Sequence, residues 1–239
     1  MRKRHVVSET FVVTSRSMLH LGSIGGTSID VDFNFVFLVL LFVVLNYNPA
    51  QGIAYALIWI PILFLSVLIH ELAHAAMIGI FGFGSSQIVL TGMGGVTINR
   101  RRARPWQDML ISLAGPAASF GLCFLAIWIS GNVGIARTDR MLLALMPRLV
   151  RANAFWGIFN LIPVPPLDGG HATRDFFRMF LNERTAFMIA IWIAIIVGGL
   201  VAAAALYLRQ FFVGLYIAWF VYMAVQQWQY FKRHGVPGD

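Results

Sequence analysis

The chain has 239 residues, of which 59% are hydrophobic and 12% are charged, and its formal net charge is +8. Soluble domains carry roughly a quarter of charged residues, so this composition excludes that class and indicates a multi-pass membrane protein. The single cysteine, Cys123, excludes an intrachain disulfide framework and a thiolate-rich metal site.

Apolar windows long enough to cross a hydrocarbon core of about 30 Å recur along the chain. They predict an all-α polytopic membrane protein, with a small re-entrant β-hairpin or sheet element on the cytoplasmic side. Residues 1–239 are expected to form a single integral membrane domain. The six predicted transmembrane helices are 32–48, 53–80, 107–130, 141–165, 185–207 and 211–231.

The positive charge is better explained by membrane topology than by nucleic-acid binding. Lysines and arginines cluster at 2–16, 100–104, 174–184 and 232–233, which fall on one side of a six-helix arrangement. Because basic residues favour the cytoplasmic side of a membrane, both termini are expected in the cytoplasm. The expected location is the inner membrane of a prokaryotic cell.

Residues 1–31 are predicted to be a cytoplasmic or interfacial segment with short strand-like stretches, among them 17–24. Gly22, Gly25 and Gly26 interrupt these stretches. Polar residues break the sequence between 6 and 18, so no cleavable signal peptide is evident and the first span is expected to act as the insertion signal.

The second predicted span carries the sequence His70-Glu71-Leu72-Ala73-His74. Two histidines one helical turn apart can reach one zinc ion while the glutamate between them approaches its water. In a soluble helix the pentad could be a surface ion-pairing turn, but titratable groups at membrane depth indicate function. A rise of about 1.5 Å per residue puts His70 about 25 Å from Ile53, in the cytoplasmic third. Pro61 is expected to kink this helix.

Glycines punctuate the segment 81–99, and they exclude a stable helix there. Residues 87–90 and 95–98 have the character of a β-hairpin. We predict a re-entrant hairpin beside the metal site that pairs with an extended peptide by strand addition, with Gly94 and Gly95 among the substrate-binding residues. The alternative is an ordinary cytoplasmic loop.

The third span contains small residues at 114–119, which let another helix approach closely, and no chemistry is assigned to them. The last two spans are interpreted as packing elements and aromatic interface belts.

The fourth segment ends in a second polar cluster. Three prolines between 163 and 166 end the helix, and the glycines at 169 and 170 permit a sharp turn that can aim Asp168 back into the bundle. Catalytic zinc requires three protein ligands, and Asp168 is the best-placed oxygen donor to complete the histidine pair. The alternative is a surface turn. His171 is interpreted as an interfacial or supporting residue, with a ligand or proton-shuttle role as the alternative.

These motifs resemble the site-2 protease family of intramembrane zinc metalloproteases. The motifs that carry the resemblance are His70-Glu-Leu-Ala-His74, Ala114-Gly-Pro116 and Asn160-x-x-Pro163-x-Pro165-x-Leu-Asp168-Gly-Gly. The family often has Asn where Ser119 stands here, which puts in doubt a polar role at that position. No loop or tail is long enough for the PDZ or CBS domains of some relatives, so a minimal core is expected.

The resemblance implies a hydrolase that cleaves a transmembrane segment of a membrane-anchored regulator, such as an anti-sigma factor, and releases a cytoplasmic fragment. It implies that Zn²⁺ is the cofactor. It assigns His70, His74 and Asp168 as metal ligands, Glu71 as the general base, and Asn160, Pro163 and Pro165 as residues that hold the substrate strand.

Two rival functions are weighed against this one. A non-catalytic membrane transporter or receptor could use a His/Asp metal site, but it needs no general base at Glu71. A di-iron membrane oxidase would need more ligands than the 6 histidines of the chain supply.

Overall fold

The computed structural model describes residues 18–50, 52–99, 103–132 and 140–234. The strands are β1 (Met18–Ile24), β2 (Thr27–Asp32), β3 (Gln87–Thr91) and β4 (Gly94–Ile98). The helices are α1 (Phe35–Leu45), α2 (Ile53–Leu57), α3 (Trp59–Ile80), α4 (Pro105–Asn132), α5 (Arg140–Asn160), α6 (Asp168–Arg178), α7 (Glu183–Tyr207) and α8 (Phe211–His234).

The described chain divides into two compact units. One holds residues 16–102 and 113–159, and the other holds residues 103–112 and those from 160 onward. We call them the sheet unit and the helical unit. The sheet unit contains the four strands, α1 to α3, most of α4, and α5 up to Phe159.

The four strands form one mixed sheet in the order β1-β2-β3-β4. β1 pairs with β2 and β3 pairs with β4 in antiparallel fashion, whereas β2 and β3 are parallel. A parallel pair needs a long crossover, and the chain between β2 and β3 supplies it in α1, α2 and α3. The predicted hairpin at 81–99 is therefore half of a larger sheet, because the strands near the amino terminus join it.

The core of the sheet unit lies between the sheet and the helices. Ile88, Val89 and Leu90 of β3 are at most 1% exposed. Ile88 and Leu90 pack with residues from three helices, namely Phe35, Leu38, Val39, Val67, Ala75 and Trp156. This packing fixes the hairpin against α3, the helix that carries the pentad.

The helix predicted at 53–80 is interrupted at Ile58, between α2 and α3. Pro61 explains the position, because proline has no N–H to donate to the carbonyl of Leu57, four residues earlier and the last residue of α2. The position where the sequence predicts a kink is thus a one-residue interruption, at which the backbone of Ile58 keeps right-handed helical angles.

In the helical unit, α6 is braced against the beginning of α7. Arg178 Nε lies 2.6 Å from Glu183 Oε2, and Arg178 Nη1 lies 2.7 Å from Asp175 Oδ1. Arg174 also contacts Glu183. Burial raises the pKa of the Asp175 carboxyl, and the hydrogen bond from Arg178 offsets only part of that effect.

Four segments of the described chain are long and apolar enough to cross a membrane, namely Ile53–Ile80, Pro105–Asn132, Glu183–Tyr207 and Phe211–Arg233. They correspond to four of the six predicted spans. At 32–48 the helix is Phe35–Leu45, whose 11 residues extend about 16 Å. At 141–165 the helix is Arg140–Asn160, which ends before the three prolines between 163 and 166 and carries Arg148 and Arg151. Membrane crossing by these two remains a prediction.

The turn before α6 packs its backbone, residues 161–165, against the first residues of α6. A Cβ added to Gly169 would overlap the carbonyl of Leu161, and one added to Gly170 would overlap the backbone at Val164 and Pro165. The two glycines after Asp168 are therefore required by close packing of the backbone.

We predict that Gly169→Ala lowers the free energy of unfolding by about 1–3 kcal/mol, because the new methyl group meets backbone atoms that cannot move aside. Gly199→Ala is the matched control, since Gly199 lies in α7 with nothing within 4 Å of its Cβ position. It should be neutral or slightly stabilising. Thermal unfolding of the detergent-solubilised proteins measures both, and equal melting temperatures would contradict the assignment.

Candidate metal centre

The pentad lies near the middle of α3 with its three polar side chains buried. His70, Glu71 and His74 are 2%, 4% and 6% exposed. Their potential ligand atoms all lie within 4.8 Å of one another, and the two imidazole rings are 4.9 Å apart between centroids. The structure thus confirms that the helical spacing brings the three side chains together. Burying such groups costs free energy unless they are paired or bound to an ion.

The Nε2 atoms of both histidines converge on Gly115 of α4. A Cβ built on Gly115 would overlap Nε2 of His70 and of His74. The absence of a side chain at this position therefore leaves space beside two ring nitrogens that can act as ligands. Two imidazoles with a neighbouring carboxylate form a donor set that fits Zn²⁺, which prefers nitrogen and oxygen ligands of this kind.

Ser119 lies one helical turn beyond Gly115 and contacts the other nitrogen of His70. Its Oγ is 3.0 Å from His70 Nδ1, and Ser119 is 1% exposed. When Nδ1–H donates to this hydroxyl, the lone pair of His70 is on Nε2, the nitrogen that faces Gly115. The hydrogen bond also fixes the orientation of the ring, as partners of metal-binding histidines usually do.

Sequence reasoning missed this role of Ser119. The small residues at 114–119 predict close helix packing, and Ser119 stands where the family often has Asn, so neither pattern indicates a partner for the hydroxyl. The spacing of four residues between Gly115 and Ser119 was the available signal, because it puts both on one face of a helix. The spacing does not reveal which histidine nitrogen the hydroxyl meets.

Strand β4 covers Glu71. Thr97 Oγ1 lies 2.7 Å from Glu71 Oε2, and a Cβ on Gly95 would overlap the Glu71 side chain. A Cβ on Gly94 would lie 2.9 Å from Cζ2 of Trp156. The structure therefore brings Gly95, one of the predicted substrate-binding residues, against the pentad. The depth of the hairpin in the membrane remains a prediction.

The remaining predicted site residues belong to the helical unit. Asn160 is the last residue of α5, and Pro163 and Pro165 lie in the turn that follows it. Asp168 is the first residue of α6, where a negative charge interacts favourably with the helix dipole. His171 is exposed. The metal-binding role of Asp168 and the substrate-binding roles of Asn160, Pro163 and Pro165 remain predictions.

Comparison with known protein families gives two matches. Residues 35–164, more than half of the chain, match the Peptidase M50B-like family. Residues 129–203 match Peptidase family M50. The first match includes the whole pentad and the Ala114-Gly-Pro116 stretch.

Individual proteins with similar sequences or structures point the same way. The Mycobacterium tuberculosis protein Rip3, whose name describes a zinc metalloprotease, is 29% identical over 238 residues, which cover 89% of this chain and 58% of Rip3. A zinc metalloprotease of Methanocaldococcus jannaschii is 26% identical over 202 residues, covering 83% of this chain and 57% of that protein. The chain thus spans less than two thirds of either relative.

The fold is also similar to that of a solved structure, a site-2 protease from Methanocaldococcus jannaschii. The TM-score is 0.62 at 23% sequence identity, and the match covers 87% of this chain and 94% of the other. At this level of identity the likeness shows the fold.

We predict that Gly115→Ala abolishes stoichiometric zinc binding, because the methyl group would occupy the space in front of both Nε2 atoms. Gly121→Ala is the matched control in the same helix, since nothing lies within 4 Å of its Cβ position. Mass spectrometric metal analysis of the two purified variants gives the comparison. Wild-type zinc content in the Gly115 variant would contradict the proposed location of the ion.

Removing the Ser119 hydroxyl should weaken metal binding. Loss of such a supporting hydrogen bond typically lowers affinity by about 10–100-fold, so Ser119→Ala should show a shift of that size in a chelator competition titration. Ser130→Ala removes a hydroxyl from the same helix, where Ser130 Oγ donates to the Ala126 carbonyl 2.8 Å away. This control should bind zinc normally, and an equal loss in both variants would exclude a specific role for Ser119.

Proposed function

The chain belongs to peptidase family M50, the site-2 protease family, and we propose that it is an intramembrane zinc metalloprotease that cleaves a transmembrane segment of a membrane-anchored protein. The observation that carries the proposal is the buried His70-Glu71-His74 cluster, whose two Nε2 atoms converge on Gly115. The cluster lies in a segment long and apolar enough to cross a membrane. Charged groups in such a segment are costly and mark functional sites.

We propose that His70, His74 and Asp168 hold the zinc ion. Catalytic zinc sites use three protein ligands and keep one position open, and two histidines leave one ligand to be supplied. Asp168 offers a carboxylate at the beginning of α6, and the turn before it packs its backbone against Gly169 and Gly170 of the same helix. When bound, zinc lowers the pKa of a coordinated water and polarises the scissile carbonyl.

Glu71 is proposed as the general base. Its carboxylate takes a proton from the attacking water and delivers it to the leaving amine. The side chain is 4% exposed and lies between α3 and β4, so its position is restricted. Ser119 orients the ring of His70, and Gly115 keeps the space beside the Nε2 atoms of His70 and His74 open.

The substrate is proposed to bind as an extended strand along β4. A transmembrane helix hides its carbonyls in its own hydrogen bonds, so the segment must unwind before it can be cut. Among the described strands β4 pairs with β3 alone, so its other edge can accept a further strand. Gly94 and Gly95 of β4 are proposed to contact the substrate, together with Asn160, Pro163 and Pro165.

We further propose six membrane crossings with both termini in the cytoplasm of a prokaryotic cell, on the basis of the distribution of lysines and arginines. The pentad lies near the cytoplasmic end of the second crossing, so a substrate cut at that depth would release a cytoplasmic fragment. A membrane-anchored regulator such as an anti-sigma factor is a suitable substrate, because cleavage would move its cytoplasmic part from the membrane into the cytoplasm.

We predict that Glu71→Gln keeps bound zinc but loses proteolysis, because the amide cannot accept the proton, whereas Asp168→Ala loses zinc as well. Asp32→Asn is the control for loss of a carboxylate charge, since Asp32 lies in β2 and accepts a hydrogen bond from the Asn34 backbone N–H. It should keep both properties. The measurements are metal analysis and cleavage of single-span substrates in proteoliposomes, with and without a zinc chelator.

Normal turnover by the Glu71 variant would defeat the general-base assignment. Full zinc content in the Asp168 variant would defeat its assignment as a ligand. Metal transport without cleavage by the wild-type protein would favour a transporter.

A further inference from the structure

One hydrogen bond to Glu71 comes from a residue of the predicted hairpin to which the sequence assigns no role of its own. Thr97 belongs to β4, and successive side chains of a strand point to opposite faces. Gly95 and Thr97 face the pentad, whereas Val96 and Ile98 on the other face are 46% and 36% exposed. The strand thus presents a space at 95 and a hydroxyl at 97 to the same carboxylate.

The hydroxyl of Thr97 has two candidate acceptors on Glu71. Oγ1 lies 2.7 Å from the carboxylate Oε2 and 3.2 Å from the backbone carbonyl oxygen of the same residue. A hydroxyl has one proton, and a bond to an ionised oxygen is shorter and stronger than one to a neutral oxygen. The proton is therefore assigned to Oε2, and the backbone carbonyl oxygen is the more distant of the two acceptors within reach.

Gly95, two residues before Thr97 on the same face of β4, also restricts the Glu71 carboxylate. A Cβ at this position would overlap Cγ and Cδ of Glu71, so the strand backbone lies directly against the side chain. The carboxylate has little room to rotate, because β4 closes one side and α3 holds its backbone. Oε1 also lies against this position, and Oε2 is the oxygen bonded to Thr97, so both oxygens of the carboxylate face β4.

We propose that Thr97 is a positioning residue for the Glu71 carboxylate, and that this hydrogen bond couples the strand that receives the substrate to the general base. The inference rests on the proposed function. Pairing of a substrate strand with β4 would immobilise the strand, and the hydroxyl of Thr97 would then immobilise Glu71 in the orientation needed for proton transfer. Thr97 itself touches neither the metal nor the scissile bond in this scheme.

The test is Thr97→Val, which removes the hydroxyl and keeps the shape and strand preference of the side chain. Misplacement of a catalytic group by about 1 Å can cost 10²-fold in rate, so kcat should fall by about 10–100-fold. KM and bound zinc should remain within about twofold of wild type. Thr97→Ser keeps the hydroxyl and should restore most of kcat.

Thr27→Val is the matched control, because Thr27 lies in the same sheet and its hydroxyl hydrogen-bonds Ser86 Oγ at 2.9 Å. This variant should keep a normal kcat. An activity-independent readout is the infrared carboxylate stretch of Glu71, identified by its disappearance in Glu71→Gln. The band should move in Thr97→Val, return in Thr97→Ser, and stay in place in Thr27→Val.

Several results would overturn the inference. They are an unchanged carboxylate band in Thr97→Val, a wild-type kcat in that variant, a rise in KM alone, or failure of Thr97→Ser to restore the rate. Failure of the proposed function is distinguishable, because then Glu71→Gln would cleave as well as wild type or no preparation would cleave, while the infrared band would still report the hydrogen bond.

Discussion

The site depends on the burial of a histidine pair and a carboxylate against α4 and β4. Each of these elements has a glycine at the point of contact. Gly115 of α4 faces the Nε2 atoms, and Gly95 of β4 faces Glu71. Larger residues at either position would fill the space that the chemistry needs. Ser119 and Thr97 add one hydroxyl each, and together they fix the orientation of His70 and Glu71. His70 and Glu71 thereby have hydrogen-bond partners in a segment where water is scarce.

The mixed sheet explains how a short hairpin can occupy a defined position beside that helix. A two-stranded hairpin alone is marginally stable, but β3 is also paired with β2 and its side chains are buried against α1 and α3. The long crossover between β2 and β3 contains α3 itself. The sheet thus links β4, which covers Glu71, to α3, which carries it. Thr97 therefore donates its hydrogen bond from a strand whose position is fixed.

Local patterns in the sequence predicted the parts of the structure that depend on local geometry. The pentad spacing predicted the His70-His74 pair, and the glycine-punctuated segment predicted a hairpin within a few residues of β3 and β4. The parallel pairing of β2 with β3 was not predicted, because it joins residues nearly sixty positions apart and leaves no periodic signal. The contacts of Ser119 and Thr97 were missed for the same reason, since each meets its partner across 49 and 26 positions. The motif around Asp168 predicts a metal ligand, and that role remains a prediction.

The central claim is that the buried histidine pair binds one zinc ion through its Nε2 atoms. X-ray absorption at the zinc edge on the purified wild-type protein tests it most directly. The expected spectrum shows two imidazole nitrogens with oxygen ligands at about 2.0–2.2 Å and no sulfur shell. A spectrum with sulfur ligands at about 2.3 Å, or without imidazole scattering, would contradict the account.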